Sequence, residues 1–276
     1  MNYRHGFHAG NHADVLKHAL LLALVHRLQE KPGGLFLLDT HGGCGHYRLD
    51  GEEARRTGEW QTGIGRLQGA APIPALADYL DRCRRLGGEN GYPGSPLLLA
   101  DLLREQDRLA VCELHEETFR ALRALLGQRP RVALHRRDGY EAAPALSPPP
   151  ERRGLILIDP PYELQGAEFE AIERCVGKVL ARWPQAVVAL WYPIKRRRDL
   201  RAPLRRLAAL PARAALALEL MVHADDSPLR LNGSGMLVFN PPWRLAEQAA
   251  PVLQVLAERL AEGGRGDLVW LRQEQA

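Results

Sequence analysis

Short runs in which nearly every residue is Leu, Val, Ile or Ala recur along the chain, each closed by a polar or glycine-containing turn and separated by stretches of helical periodicity. They occupy residues 35–38, 109–112, 132–134, 155–158, 186–190, 216–222 and 236–239. A strand apolar at consecutive positions has both faces covered, the condition of a parallel sheet packed between helices. Between 222 and 236 no helix fits, only His223-Ala-Asp-Asp-Ser-Pro228 and Asn232-Gly-Ser-Gly235, so the last two strands are expected to form an antiparallel hairpin. The predicted architecture is α/β, a Rossmann-like, seven-stranded, mostly parallel sheet ending in that hairpin. One stretch breaks the alternation. Between His46 and Pro93 there is no strand signal, only helical patterns near 55–67 and 73–86, so residues 49–93 are expected to be a small helical insertion in a domain built from 1–48 and 94–276.

These elements fill 276 residues, 46% hydrophobic and 25% charged, an ordinary globular composition that excludes a disordered or fibrous chain. The longest apolar run, 19–25, stops at His26-Arg27, far short of the ~20 residues a membrane span needs. No signal-peptide pattern follows Met1, so the expected location is cytoplasmic, with no membrane partner. Cys44, Cys83, Cys112 and Cys175 are too scattered for a zinc or disulfide framework. The net charge is +4, and only Lys17, Lys31, Lys178 and Lys195 among the 37 basic residues are lysines. Arginine's planar fork suits phosphate, although such a bias equally follows from genome composition.

Candidate chemistry begins at the end of the first strand. Leu37-Leu-Asp39-Thr-His41-Gly-Gly43-Cys-Gly45 places a carboxylate and then a tight glycine turn where a backbone can approach a nucleotide-like cofactor. The second strand ends in Glu113, able to accept from two ribose hydroxyls, and the third is followed by Asp138-Gly139, placed to read an adenine amine. The helix that should follow the glycine loop starts only after the insertion, at Gly94-Ser95-Pro96; Ser95 reads either as its cap alone or also as a ligand for a cofactor carboxylate.

The most specific feature is Leu155-Ile-Leu-Ile-Asp159-Pro160-Pro161-Tyr162. Two prolines fix the backbone past a buried strand and hold the Asp159 carboxylate and the Pro160 carbonyl as convergent acceptors. The lone pair of a purine amine is delocalised into the ring, and acceptors aimed at its hydrogens localise it for attack on a methyl donor. Tyr162 is expected to stack on the base. Asn240-Pro-Pro-Trp243 matches the same pattern, but it follows the antiparallel strand and so is expected at the opposite edge of the sheet, in a structural role.

Taken together these residues resemble the ribosomal RNA large subunit methyltransferase J family. The resemblance covers almost the whole chain and rests on the segment from Tyr3-Arg-His5 to Asn11-His-Ala-Asp-Val-Leu-Lys-His18, Leu38-Asp-Thr-His41, Tyr92-Pro-Gly-Ser-Pro96, Arg153 to Tyr162, Ala189-Leu-Trp-Tyr-Pro193, and Ser234 to Trp243. It implies a class I methyltransferase fold, S-adenosylmethionine as cofactor, and the N6 amine of adenine 2030 in 23S ribosomal RNA as substrate. By motif match His18, His41, Ser95, Glu113, Asp138, Gly139 and Asp159 would contact the cofactor, with Asp159 catalytic and Tyr3 touching RNA. The commoner methyltransferase loop has glycine where His41 stands, so that side chain must pack against or hydrogen-bond the methionine portion.

Lys195-Arg-Arg-Arg198 with Arg201, Arg205 and Arg206 reads either as a solvated helix face or, with Arg4, Arg55 and Arg56, as a phosphate-binding surface. Five histidines fall in the first 26 residues, but no third ligand accompanies His8 and His12, and no metal is expected. No obligate protein partner is evident. A DNA adenine-N6 methyltransferase is the alternative enzyme, and an RNA-binding protein using the fold as a scaffold is the alternative of another kind.

Overall fold

A computed structural model describes residues 4–68, 74–162, 165–228, 231–261 and 265–273; Tyr3 lies outside them. The strands are β1 Phe36–Asp39, β2 His46–Arg48, β3 Gly91–Pro93, β4 Arg108–Cys112, β5 Val132–His135, β6 Gly154–Ile158, β7 Val187–Ile194, β8 Ala215–Met221, β9 Gly233–Phe239 and β10 Arg265–Arg272. All but β2 and β3 form one sheet in the order β10-β8-β9-β7-β6-β1-β4-β5. β1 pairs in parallel with β4 and β6, β4 with β5, and β6 with β7, while β9 runs antiparallel between β7 and β8.

The expected hairpin is present, but the sheet has eight strands rather than seven. β10 adds antiparallel to β8 at the edge. Its Arg-Gly-Asp-Leu-Val-Trp-Leu-Arg sequence carries charge at both ends and no residue of it is buried, so it lacks the continuous apolar run that marks the central strands. The segment between His46 and Pro93 also holds strands at its two ends: β2 pairs with β3, closing the intervening helices into a loop with a hydrogen-bonded neck. Strands of three residues leave no periodicity to read.

Side chains alternate across each strand, and two packed layers result. Leu37, Leu109, Val111, Leu155, Leu157 and Ala189 join the core beneath the helices His12–Gln29, Ser95–Leu102 and Leu245–Leu260. Phe36, Leu38, Ala110, Ile156, Ile158 and Val188 join the core beneath Gln165–Arg182, whose Phe169, Ile172, Cys175, Val176 and Val179 keep helical spacing. Each such Leu, Ile or Phe contributes about 1.5–3 kcal/mol on burial.

The helix His12–Gln29 differs from a surface helix. Asn11 caps it, its carboxamide oxygen accepting from the Ala13 and Asp14 amides at 2.9 and 3.0 Å. It is buried almost all round, because the sheet lies under one side while the insertion, through Ile64, Leu67, Leu76, Tyr79 and Cys83, covers another and shares its core. Asp14, Lys17 and His18 are therefore buried too. Polar groups with no route to water must find partners within the protein, and they do so at the carboxyl ends of the strands.

Candidate active site

β1, β4, β5 and β6 end side by side, and a cavity of about 670 Å³ opens where they stop. His18, His41, Ser95 and Glu113 line it, as do Asp138, Gly139, Asp159 and Pro160, and Arg4 stands at its wall. Lys17 and Asp159, 142 positions apart along the chain, are thus brought to one place.

The loop after β1 is braced from β4. Glu113 accepts from the Gly43 amide at 3.0 Å and, through its other oxygen, from the His115 amide at 2.7 Å. A carboxylate has about four acceptor positions, so Glu113 keeps capacity for hydroxyl donors. Gly43 has φ +60°, and a Cβ there would collide with the Tyr47 hydroxyl. Asp138 caps the helix Gly139–Ala145, accepting from the Tyr140 amide at 2.7 Å and the Glu141 amide at 3.3 Å. Ser95 does not cap its helix. Gly94 occupies that position, and the Ser95 hydroxyl donates to Asp39 at 2.6 Å, fastening the helix to the end of β1. Burial pushes the Asp39 carboxyl up to about 6, against the pull of Ser95.

Burial holds two of the cavity histidines, His18 and His41, in the neutral form. Burial lowers His41 to about 4. Its Nδ1 lies 2.7 Å from the Thr40 hydroxyl, which itself donates to the Leu157 carbonyl at 2.9 Å. Because Thr40 has one proton to give, His41 Nδ1 must carry the proton of that contact, and Nε2 is left as an acceptor. His18 is lowered to about 3, chiefly by burial and then by the Lys17 charge. Its Nδ1 meets the Tyr92 hydroxyl at 2.7 Å, while Nε2 is buried with no hydrogen-bond partner among the described residues.

The centre of the site is a charged chain that sequence reading misses. Lys17 lies 2.5 Å from Asp159 and 2.8 Å from Asp14. Asp14 also accepts from the Gly10 amide and faces His5 Nε2, each at 2.9 Å. Burial pulls the Lys17 ammonium down, but the two carboxylates outweigh it and hold it above its usual range. Burial likewise pushes Asp14 up, and His5 with Lys17 overrides this to hold it well below the usual carboxylate range. The available signal is an Asp and a Lys three apart in a helix otherwise apolar on every side.

Tyr162 departs from expectation. Its φ is +50°, and this left-handed turn sends the ring into the core, against Phe169 and Trp191 at 5.4 and 5.7 Å between centroids. The hydroxyl donates to the Trp191 carbonyl at 2.8 Å, and only 8% of the residue is exposed. It lies in the core behind Pro160 and Pro161, which do line the cavity, and offers no stacking face. Asn240, by contrast, sits where expected at the far edge, its carboxamide accepting from the Arg213 amide and donating to the Pro184 and Ala186 carbonyls.

The basic residues divide. Arg197 is committed to Glu219 and Asp267, and Arg206 to Glu173, whereas Lys195, Arg196, Arg201 and Arg205 are exposed. Arg4 pairs with Glu53, and Arg56 packs over the Phe7 ring, so Arg4, Arg55 and Arg56 share one patch at the N-terminal side of the cavity. Among the described residues no cluster suited to a metal is present, and His8 pairs with Glu59.

With this geometry in view, comparison with known proteins is decisive. The model of a family described as "Ribosomal RNA large subunit methyltransferase D, RlmJ" matches residues 32–272. The chain belongs to that family. It is 39% identical to the ribosomal RNA large subunit methyltransferase J of Haemophilus influenzae, over 99% of this chain and all of that one. It is 40% identical to the protein of the same name from Escherichia coli, over 96% of each. The crystal structure of protein LPL1258 from Legionella pneumophila superposes with a TM-score of 0.84 at 30% identity, covering 95% of this chain and 97% of that one. As a member of this methyltransferase family the chain is an enzyme with a class I methyltransferase sheet, to which β10 adds an edge strand. The family match begins at residue 32, after Lys17 and His18, but the two relatives' matches span 96% or more of the chain. No described helix is long and apolar enough to cross a membrane.

Proposed function

We propose that the protein transfers a methyl group from S-adenosylmethionine to the N6 amine of one adenine in 23S ribosomal RNA, adenine 2030. The observation that carries this reading is Asp159: it is fixed by two prolines at the end of β6 and bound on one oxygen by Lys17, and no described residue donates to the other oxygen.

The cavity suits the cofactor on its own chemistry. Carboxylates from three strand ends, Glu113, Asp138 and Asp159, line it, matching hydroxyl and amine donors; a glycine turn admits close backbone approach; and the unpartnered Nε2 of His18 lies buried in the wall. Glu113 would hold the ribose, Asp138 the adenine amine, and His18, His41 and the start of the Ser95 helix the amino-acid portion. The cofactor, when bound, supplies an electrophilic methyl on a sulfonium.

The protein's part is to present the amine. The free Asp159 oxygen and the Pro160 carbonyl accept from its two hydrogens, turning the nitrogen lone pair out of conjugation with the ring. Lys17 fixes the carboxylate's rotation. Asp159 orients the amine before transfer, and the proton passes to water after the new N–C bond has formed. RNA phosphates would meet the exposed Lys195, Arg196, Arg201 and Arg205 or the Arg4 patch. Engaging about six phosphates makes affinity fall roughly as the fifth power of salt concentration.

The names of the relatives do not favour DNA as substrate. A labelled-methyl assay offers unmodified 23S RNA and unmethylated duplex DNA side by side, followed by mapping of the labelled nucleotide. Label confined to one adenine N6 in RNA is expected; label in DNA, or at another atom, overturns the reading.

A further inference from the structure

β7 is longer than its parallel neighbour and outruns it. The pairing of β6 with β7 stops at Ile158 and Leu190, whereas the last four residues of β7, Trp191 to Ile194, pair with β9 alone. This overhang lies at the edge of the sheet where the parallel strands end, so it forms a rim beside the cavity. Asp159 and Trp191 are the next residues on the two strands, and Lys195 follows Trp191 by about 13 Å of extended chain. That height leaves room for a nucleoside between the carboxylate and the top of the rim.

The backbone there is held by the turn between β8 and β9. Asn232, fully buried, donates from its carboxamide to the Lys195 carbonyl at 2.7 Å and to the Ser227 carbonyl at 3.0 Å. Asp225 accepts from the Arg197 amide, the first of the helix Arg197–Ala208, at 2.7 Å. The Arg197 guanidinium turns to Glu219, 3.1 Å away, and to Asp267, while the Tyr192 hydroxyl donates to Glu219 at 2.7 Å. Arg197 is therefore an anchor. Lys195 and Arg196, just before it, are exposed and form no ion pair among the described residues, and the same holds for Arg201 and Arg205, one turn apart on the helix. Of the neighbouring carboxylates, Asp199 faces Arg198 at 3.7 Å and Glu173 holds Arg206, so Asp226 is the uncommitted one in the turn among the described residues. The N-terminal patch offers less. Arg4 is paired with Glu53, Arg56 lies over the Phe7 ring, and Glu52 begins the same helix, which leaves Arg55.

We infer that the substrate RNA enters over the end of β7. Lys195 and Arg196 grip the phosphates flanking the target adenine, Arg201 and Arg205 take phosphates further along the strand, and Asn232 and Asp225 are positioning residues that hold the grip in place. A fixed backbone lowers the ordering cost of each contact. The identity of the partner as RNA rests on the proposed function.

The test is fluorescence anisotropy of a labelled, unmodified 23S RNA fragment carrying the target adenine, titrated over a salt series. Lys195→Ala combined with Arg196→Ala should weaken binding about tenfold or more and lower the salt slope by about two. Arg55→Ala should change affinity by less than about twofold. Cofactor-site integrity, read by calorimetry with S-adenosylhomocysteine, should be unchanged in both. A wild-type slope in the double variant, or an equal loss at Arg55, overturns the inference. Asp225 separates positioning from charge: asparagine keeps an acceptor for the Arg197 amide and alanine does not, while both remove one negative charge. Asp225→Ala should bind RNA about fivefold more weakly than Asp225→Asn; equal affinities overturn the role given to the turn. Binding of the wild type to anionic vesicles and not to RNA would assign the rim to a lipid surface, and the inference falls. If RNA binding maps to the rim but no methyl label is transferred, the proposed reaction fails and this inference stands. If label is transferred and the double variant keeps the wild-type slope, only this inference fails.

Discussion

Two Pro-Pro turns of nearly the same sequence leave this sheet in opposite directions. Asp159-Pro-Pro-Tyr162 follows parallel β6 and ends at the cavity; Asn240-Pro-Pro-Trp243 follows antiparallel β9 and ends at the far edge. Their polar groups are used in opposite ways. The Asn240 carboxamide is fully engaged by three backbone groups, tying together the chain segments that enter β7 and β8. Asp159 is engaged on one oxygen only, by a cation brought from 142 residues away. Backbone strain differs too. Asn240 itself takes the left-handed conformation, which asparagine tolerates, whereas in the other turn it falls on Tyr162, an aromatic residue that does not. The same motif makes a clasp at one end of the sheet and at the other leaves a carboxylate oxygen open to the cavity, and strand direction decides which.

Substitutions should separate the two turns clearly. Asp159→Ala is expected to lower kcat by about a thousandfold or more while calorimetry still finds the cofactor bound; unchanged turnover would remove Asp159 from the chemistry. Lys17→Met leaves buried Asp14 and half-buried Asp159 without their cation and should cost about 3–5 kcal/mol in urea unfolding as well as turnover. A stability loss below ~1 kcal/mol would mean that the pair is not buried in solution. Asn240→Ala should cost about 2–3 kcal/mol by leaving three backbone groups unpaired, with kcat of the folded fraction unaltered. If kcat falls instead, the two ends are coupled.

The ends should also differ in their response to pH. His18, His41 and His12 have folded-state values lowered to about 3, about 4 and about 4. Unfolded histidine takes up its proton near 6.5, so below that pH the unfolded chain binds more protons and stability drops, progressively down to about 4. Asp39, raised to about 6, works the other way, favouring the folded state as pH falls from 6 toward 4. His135, also lowered by burial, adds to the three, and His8, raised by Glu59, joins Asp39 on the other side; the buried three still give a net loss between pH 7 and 5, on the order of 2 kcal/mol per histidine before those offsets. His41→Gln should flatten the profile and Asn240→Ala should shift it without changing its slope; a profile flat in the wild type contradicts the assignment. The smallest effect is expected at Trp243, 81% exposed, where Ala should move stability by no more than ~0.5 kcal/mol. A larger change would give the far turn a packing role not visible in its surroundings.

What could be read from sequence follows from where the signals lie. β1, β4, β6 and β8 declare themselves because both faces are buried, and with them come the strand-end residues Asp39, Glu113 and Asp159, whose chemistry is fixed by register alone. β10 escapes because solvent covers much of it, so its apolar and charged residues mix. Lys17 escapes because a single lysine in a helix ordinarily reaches water, and nothing local reveals that an insertion and a sheet close over it. Tyr162 is misread because its direction depends on one backbone angle, not on the residue type. Ser95 is misread as a cap because the cap shifts by one position to Gly94 and frees the hydroxyl for Asp39.

The ion pair between Lys17 and Asp159 also has a history written into the order of synthesis. The lysine emerges from the ribosome 142 residues ahead of its partner, in a helix too apolar to remain in water and too charged there to be buried alone. Until β9 and the helix Leu245–Leu260, against which it packs most extensively, are made, that helix has no final resting place. A nascent fragment that stops at Asp159 should therefore stay protease-sensitive at its beginning, and only the arrival of β9 and the helix Leu245–Leu260 lets the N-terminus settle.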